Sequence, residues 1–186
     1  MSIKKDDAGF SGMLGRRVTI GKLAGKTTIT SKPHRQVGKL SEKQLAHQER
    51  FLEAAEYARD QMGDAEVKAL YASRITGKKQ TAYNLAVGDY LVAPEVQRID
   101  TRLYQGRIGD LIKIKAKDDF QVISVQVEIT DGDGNLLEQG TAEPPQRNKR
   151  FWSFTATVDN PSLTGSVVKV IASDRPGNET EREQVL

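Results

Sequence analysis

Near residue 96 the spacing of apolar residues changes from every third or fourth position to every second, and that change divides what the chain can fold into. Downstream, Ile112-Lys113-Ile114-Lys115-Ala116-Lys117 alternates strictly and puts Ile112, Ile114 and Ala116 on one face of a strand. Ile123-Ser124-Val125-Gln126-Val127-Glu128-Ile129 and Trp152-Ser153-Phe154-Thr155-Ala156-Thr157-Val158 alternate in the same way. Residues 168–172 and 179–186 supply two more strands. Asp131-Gly132-Asp133-Gly134-Asn135 turns the chain into Leu136-Leu137-Glu138, and an edge strand fits near residues 99–104. That makes about seven strands in some ninety residues, the number of a two-sheet sandwich. Alternation puts Ile114, Val125, Val127, Trp152, Phe154 and Val170 in its core.

Upstream, residues 41–95 read as three short helices. Ser41-Glu42-Lys43-Gln44 has the form of a capping box, followed by Leu45, Phe51, Leu52, Ala55, Ala58 and Met62 at roughly helical spacing up to Gly63. Asp64 caps a second helix carrying Val67, Leu70, Tyr71 and Ile75, with Gly77 as its stop. Thr81 opens a third, with Tyr83, Val87, Tyr90 and Leu91 on one side before Pro94. Three short helices bury too little surface to stand alone, so this region is expected to pack on the β segment or on a neighbour.

Residues 1–40 form a third segment, set apart by charge. They hold nine Lys or Arg against Asp6 and Asp7, a net +7, whereas residues 41–95 and 96–186 each carry a net −2. All the excess positive charge of the +3 chain therefore sits in this arm, together with six of its sixteen glycines. Val18-Thr19-Ile20 and Thr27-Thr28-Ile29-Thr30 read as a β-hairpin whose loop spans about five or six residues from Gly21. An isolated hairpin is marginal in water, which predicts an arm ordered by docking. Arg16, Arg17, Lys22, Lys26, Lys32 and Arg35 are its candidate partner-binding residues.

Composition and motif spacing exclude more than they identify. The chain has no cysteine, so disulfides, thiolate metal sites and cysteine nucleophiles are out, and His34 and His47 are too few for a histidine metal site. Gly21-Lys22-Leu23-Ala24-Gly25-Lys26-Thr27 is one residue short of a phosphate loop and is followed by strand formers rather than a helix. Asp131-Gly132-Asp133-Gly134-Asn135 alternates oxygen ligands as a calcium loop does, yet Leu136 and Ala142 stand where that loop needs glycine and glutamate. Ser166-Val167-Val168-Lys169 matches the S-x-x-K of serine acyl enzymes, but in a strand the lysine points away from the serine. No catalytic residue and no cofactor is expected. No apolar run is long enough for a membrane span, and residues 1–7 lack the apolar core of a secretion signal. Synthesis in the cytoplasm is expected, with export by a route needing no cleaved signal left open.

Ala172-Ser173-Asp174-Arg175-Pro176-Gly177-Asn178 resembles the A-x-D-x-x-G-N ending of many bacterial immunoglobulin-like domains, where it is the turn before the final strand. The 131–135 turn and the Trp152-Ser153-Phe154-Thr155 strand fit the same pattern, so the resemblance covers about residues 96–186. Gly25-Lys26-Thr27, Ser31-Lys32-Pro33, Gln44 and Arg50-Phe51 are similar to stretches shared by uncharacterised bacterial proteins, and imply no activity. The expected fold is α+β: a basic β-hairpin arm over 1–40, a three-helix region over 41–95 and an immunoglobulin-like (fibronectin III-like) sandwich over 96–186. The expected function is a non-catalytic structural or adhesion-type component of a larger assembly, filament-like or virion-like, whose arm docks on a neighbouring subunit, with other protein subunits and self-assembly as its partners. The alternatives are a nucleic-acid-associated protein using the arm, or a carbohydrate- or protein-binding accessory module.

Overall fold

Alternation at period two becomes antiparallel pairing over most of the second half of the chain. The computed structural model describes residues 2–6, 9–14, 18–23, 26–31, 40–77, 80–146 and 150–186. These divide into two compact units, Met1–Ser41 and Glu42–Leu186.

In the first unit, β1 (Ser2–Asp6), β2 (Gly9–Leu14), β3 (Val18–Leu23) and β4 (Lys26–Ser31) form one antiparallel sheet in chain order. The sequence predicts a hairpin here, and the structure corrects it in two ways. Pairing of β3 with β4 continues to Leu23↔Lys26, so Lys22, Leu23 and Lys26, expected in the loop, belong to the strands. Two further strands extend the sheet, β2 on β3 through Gly12↔Ile20 and β1 on β2 through Ile3↔Gly12. Their glycines and serines give a weak strand signal, but backbone pairing to an existing strand does not depend on side-chain propensity.

The second unit is α+β. Helix α1 (Glu42–Gly63) begins directly after Ser41, and Asp64 and Thr81 cap α2 (Ala65–Ser73) and α3 (Ala82–Leu91). The Asp64 carboxylate accepts from the amides of Glu66 and Val67, and the Thr81 hydroxyl from that of Asn84, so these starts lie where the sequence puts them. Helix α2 stops at Ser73, short of Gly77. Arg74 and Ile75 donate to carbonyls only three residues back, and the Gln80 side chain gathers the amides of Thr76 and Gly77, which competes with another helical turn.

The β strands follow as β5 (Glu95–Leu103), β6 (Leu111–Lys117), β7 (Val122–Thr130), β8 (Leu136–Thr141), β9 (Trp152–Thr155), β10 (Val167–Asp174) and β11 (Glu179–Val185). They make two antiparallel sheets, one in the order β5-β6-β9 and the other in the order β11-β10-β7-β8. Buried residues of both belong to one apolar cluster. It holds all six core residues named from alternation: Ile114, Val125, Val127, Trp152, Phe154 and Val170. Val158, beyond the end of β9, and Ile123 depart from the alternation, both being exposed. Register shifts between Ser173 and Asp174, so that Ser173 pairs with Ser124 and Asp174 with Val122. The bulge turns Val122 toward the core and leaves Ile123 47% exposed.

Gly106, at φ +84°, lets the loop after β5 pass close to Asn160, whose amide donates to the Gly106 carbonyl at 2.8 Å. A Cβ at this position would run into the carbonyl oxygen of Asn160. Gly106→Ala is therefore expected to destabilise the second unit by about 1–3 kcal/mol, measured by denaturant unfolding. Gly109→Ala also sits at positive φ but meets nothing within 4 Å, and should cost less.

Candidate functional site

The six basic residues proposed for partner binding divide between described and undescribed positions. Arg16, Arg17, Lys32 and Arg35 lie outside the described residues. Lys22 is in β3, opposite Thr27, and Lys26 is in β4, opposite Leu23. Since neighbours in register share a face, the positions of Lys22 and Lys26 fall on opposite faces of the sheet. The same register puts Val18, Ile20 and Ile29 on one face, with Ile20 paired to Ile29. Val18 and Ile20 are half-buried and Ile29 is 72% exposed. The sheet thus presents an apolar strip.

In the second unit, α1 divides into two halves. From Ala54 onward it packs against its neighbours, with Ala54, Ala55 and Ala58 buried. Residues 42–53 are all exposed. The three large apolar residues among them, Leu45, Phe51 and Leu52, are 46%, 49% and 60% exposed, so the helical periodicity is right but only its second half is core. His47, Gln48, Phe51 and Leu52 line a shallow groove of about 510 Å³ on this half. Arg50 reaches the Leu91 carbonyl at 3.2 Å, and Glu53 accepts from the Tyr90 hydroxyl at 3.2 Å, bracing the helix against the end of α3.

The helices join the β sheets through a polar cluster that the sequence reading does not pick out. Asp118 accepts from the amides of Phe120 and Gln121, forming the turn between β6 and β7 that presents the Phe120 ring to the helices. That ring stacks on Tyr71 at 4.3 Å between centroids and lies under the Arg74 guanidinium at 5.4 Å. Phe120 belongs to the same apolar cluster as Ala58, Tyr71 and Ala86. The Tyr71 hydroxyl donates to Asp89 Oδ2 at 2.5 Å, which leaves its oxygen to accept from Tyr57 at 3.1 Å. Asp89 is only 2% exposed, and its Oδ1 is buried without a hydrogen-bond partner among the described residues.

On the β side, Asp174 draws the last hairpin tight. Its Oδ1 accepts from the amides of Gly177 and Asn178 and its Oδ2 from the Asn178 side chain. The Asn178 amide also donates to the carbonyl of Tyr90 at 3.1 Å and more weakly to that of Asp89 at 3.4 Å. The seven-residue ending noted in the sequence is therefore a turn before the final strand and also a contact with the C-terminal part of α3.

Comparison of the chain with protein-family models, with curated proteins and with solved structures returns no match. Chemistry at the site is therefore read from geometry alone. Burial pushes the Asp89 carboxyl up to about 6; the Tyr71 hydrogen bond pulls the other way, and the charges of Asp118 and Asp174 add to the rise. Burial, then the hydrogen bond to Asp89, raises the Tyr71 phenol above its ordinary value. Asp89 is thus an acceptor shut away from water beside a phenol that keeps its proton, an arrangement that clasps helices together. A cavity of about 380 Å³ adjoins it, with Arg74, Asn84, Asp89 and Phe120 among its walls.

The remaining motifs resolve into structure. Ser166 is buried, accepting from the Asn160 side chain and donating to the Ser162 carbonyl, while Lys169 pairs outward with Glu181 at 3.0 Å. Asp131 accepts from the amides of Asp133 and Asn135 and from the Asn135 side chain, so its own turn occupies both its oxygens. Among the described residues, no group of three His, Asp or Glu side chains is placed to hold a metal, and no helix is long and apolar enough to cross a membrane. Asp89 had one legible signal, a lone carboxylate three residues after Ala86 on the buried side of α3.

Proposed function

We propose that the chain is a non-catalytic subunit of a larger protein assembly, with an immunoglobulin-like sandwich in its second unit and an N-terminal sheet that docks on a neighbouring subunit. The sandwich reading draws support from strand order. Lettered in sequence as A, B, C, C′, E, F and G, the strands β5 to β11 give sheets A-B-E and G-F-C-C′ around one core, the fibronectin III-like variant of the immunoglobulin arrangement.

The observation that carries the docking reading is Ile29, 72% exposed on a sheet whose register gathers Val18, Ile20 and Ile29 on one face. An antiparallel sheet with one apolar face is stable when that face is covered. The nucleic-acid alternative draws its support from the net +7 of residues 1–40 alone. Both apolar clusters lie within Glu42–Leu186, so deleting residues 1–40 removes none of their members. Light scattering on the deleted chain is expected to show loss of the assembly formed by the full chain. Duplex DNA titrated over a range of salt provides the contrast: unchanged particle size together with lost salt-dependent binding would overturn docking in favour of nucleic acid.

A further inference from the structure

Taking the docking reading as its base, we infer that the surface receiving a neighbouring copy's N-terminal sheet is the exposed half of α1, centred on Leu45, Phe51 and Leu52. Three observations point there. Twelve consecutive residues of this helix, 42–53, are exposed although they carry three large apolar side chains, and Phe51 and Leu52 line a groove with His47 and Gln48. The dimensions agree, since twelve helical residues span about 18 Å and a six-residue strand about 20 Å. A helix laid on one face of an antiparallel sheet is a standard two-layer solution for an apolar sheet face.

Charge selects this occupant. Residues 1–40 carry a net +7, while the receiving half of α1 carries Glu42, Glu49 and Glu53 against Lys43 and Arg50, a net −1. The approach of arm to helix is therefore electrostatically favourable, with the apolar contact supplying the affinity. The edge strand β11 is as acidic, with Glu179, Glu181 and Glu183, but Val185 is its one large exposed apolar residue, so it offers little to cover an apolar sheet face.

The test uses the full chain. Ile29→Glu spoils the arm and Leu52→Lys spoils the helix, both at exposed positions where folding is spared. In light scattering across a concentration series, each variant alone is expected to dissociate at a concentration at least about tenfold higher than the unaltered chain. An equimolar mixture is expected to recover a one-to-one pair, because one partner keeps its helix face and the other its arm. If Leu52→Lys assembles like the unaltered chain while Ile29→Glu does not, α1 is not the receiver and the docking reading survives. If both variants dissociate alone and the mixture recovers nothing, the pairing of arm with α1 is likewise wrong. Unaltered assembly of both variants, or an unaltered chain that is monomeric at every concentration, overturns the inference and the docking reading together.

Discussion

Replacing Trp152 with alanine is expected to cost about 3–5 kcal/mol of unfolding free energy, the range for emptying a large aromatic from a packed core. Trp152 sits on β9, paired with Ile114, and belongs to the cluster shared by both sheets of the second unit. Its loss opens a cavity that neither sheet can close alone, because each is held in register by its own ladder. Urea unfolding followed by circular dichroism measures the effect, and the melting temperature should fall by on the order of 10 °C. Ile123→Ala is the matched control: the bulge has already put that side chain outside, so its loss should stay within about 0.5 kcal/mol. Equal losses in the two variants would mean that Trp152 does not anchor the core.

Stability should also depend on pH through Asp89. Its carboxyl, buried beside Tyr71 and repelled by Asp118 and Asp174, with Arg175 partly offsetting them, holds its proton up to about pH 6. In the unfolded chain it releases the proton near 3.8. A raised acid binds its proton more tightly in the folded state, so its contribution is fully present below about pH 4 and is lost as pH rises toward 6. The gap corresponds to about 3 kcal/mol. Asp100, held below the usual range by the Arg102 guanidinium, works in the opposite sense and in a lower window, losing its contribution as pH falls below about 4. Maximum stability is therefore expected in weak acid. Asp89→Asn keeps an acceptor for Tyr71 and removes the charge. Denaturant unfolding at pH 4, 5, 6 and 7 should show a flatter profile for this variant, more stable than the parent at pH 7 by about 1–3 kcal/mol. A parent chain equally stable at pH 4.5 and pH 7 would rule out the mechanism.

The β part of the fold was the most legible because period two is a strong signal wherever one face of a strand is buried. Ile112, Ile114, Val125, Val127, Val168 and Val170 all face inward as alternation requires. Ile123 breaks the rule because a bulge depends on the partner strand, which no local window contains. Helix starts were legible through Asp64 and Thr81, since a cap is a local hydrogen bond. Leu45, Phe51 and Leu52 were not legible as exposed, because periodicity marks an apolar stripe without saying how much of it another element covers. The pairing of Tyr71 with Asp89 joins residues eighteen apart on two helices, and the sequence marks it only by a carboxylate in an apolar run.

The hydrogen bond from Asn178 to the Tyr90 carbonyl spans 88 residues of chain. During synthesis the three helices leave the ribosome well before the turn that fastens α3 has been made. At about 5–20 residues per second, that interval lasts several seconds, long compared with the microsecond formation of a helix. Until then Asn178 is missing from the surface against which α3 packs, although Phe120, made 58 residues earlier, can already reach Tyr71. The contact that fastens the end of α3 to the last hairpin is therefore among the latest the chain can make. Truncation just before Arg175 would therefore release helices encoded in the first half of the chain, coupling the integrity of the newest residues to the order of the oldest helices.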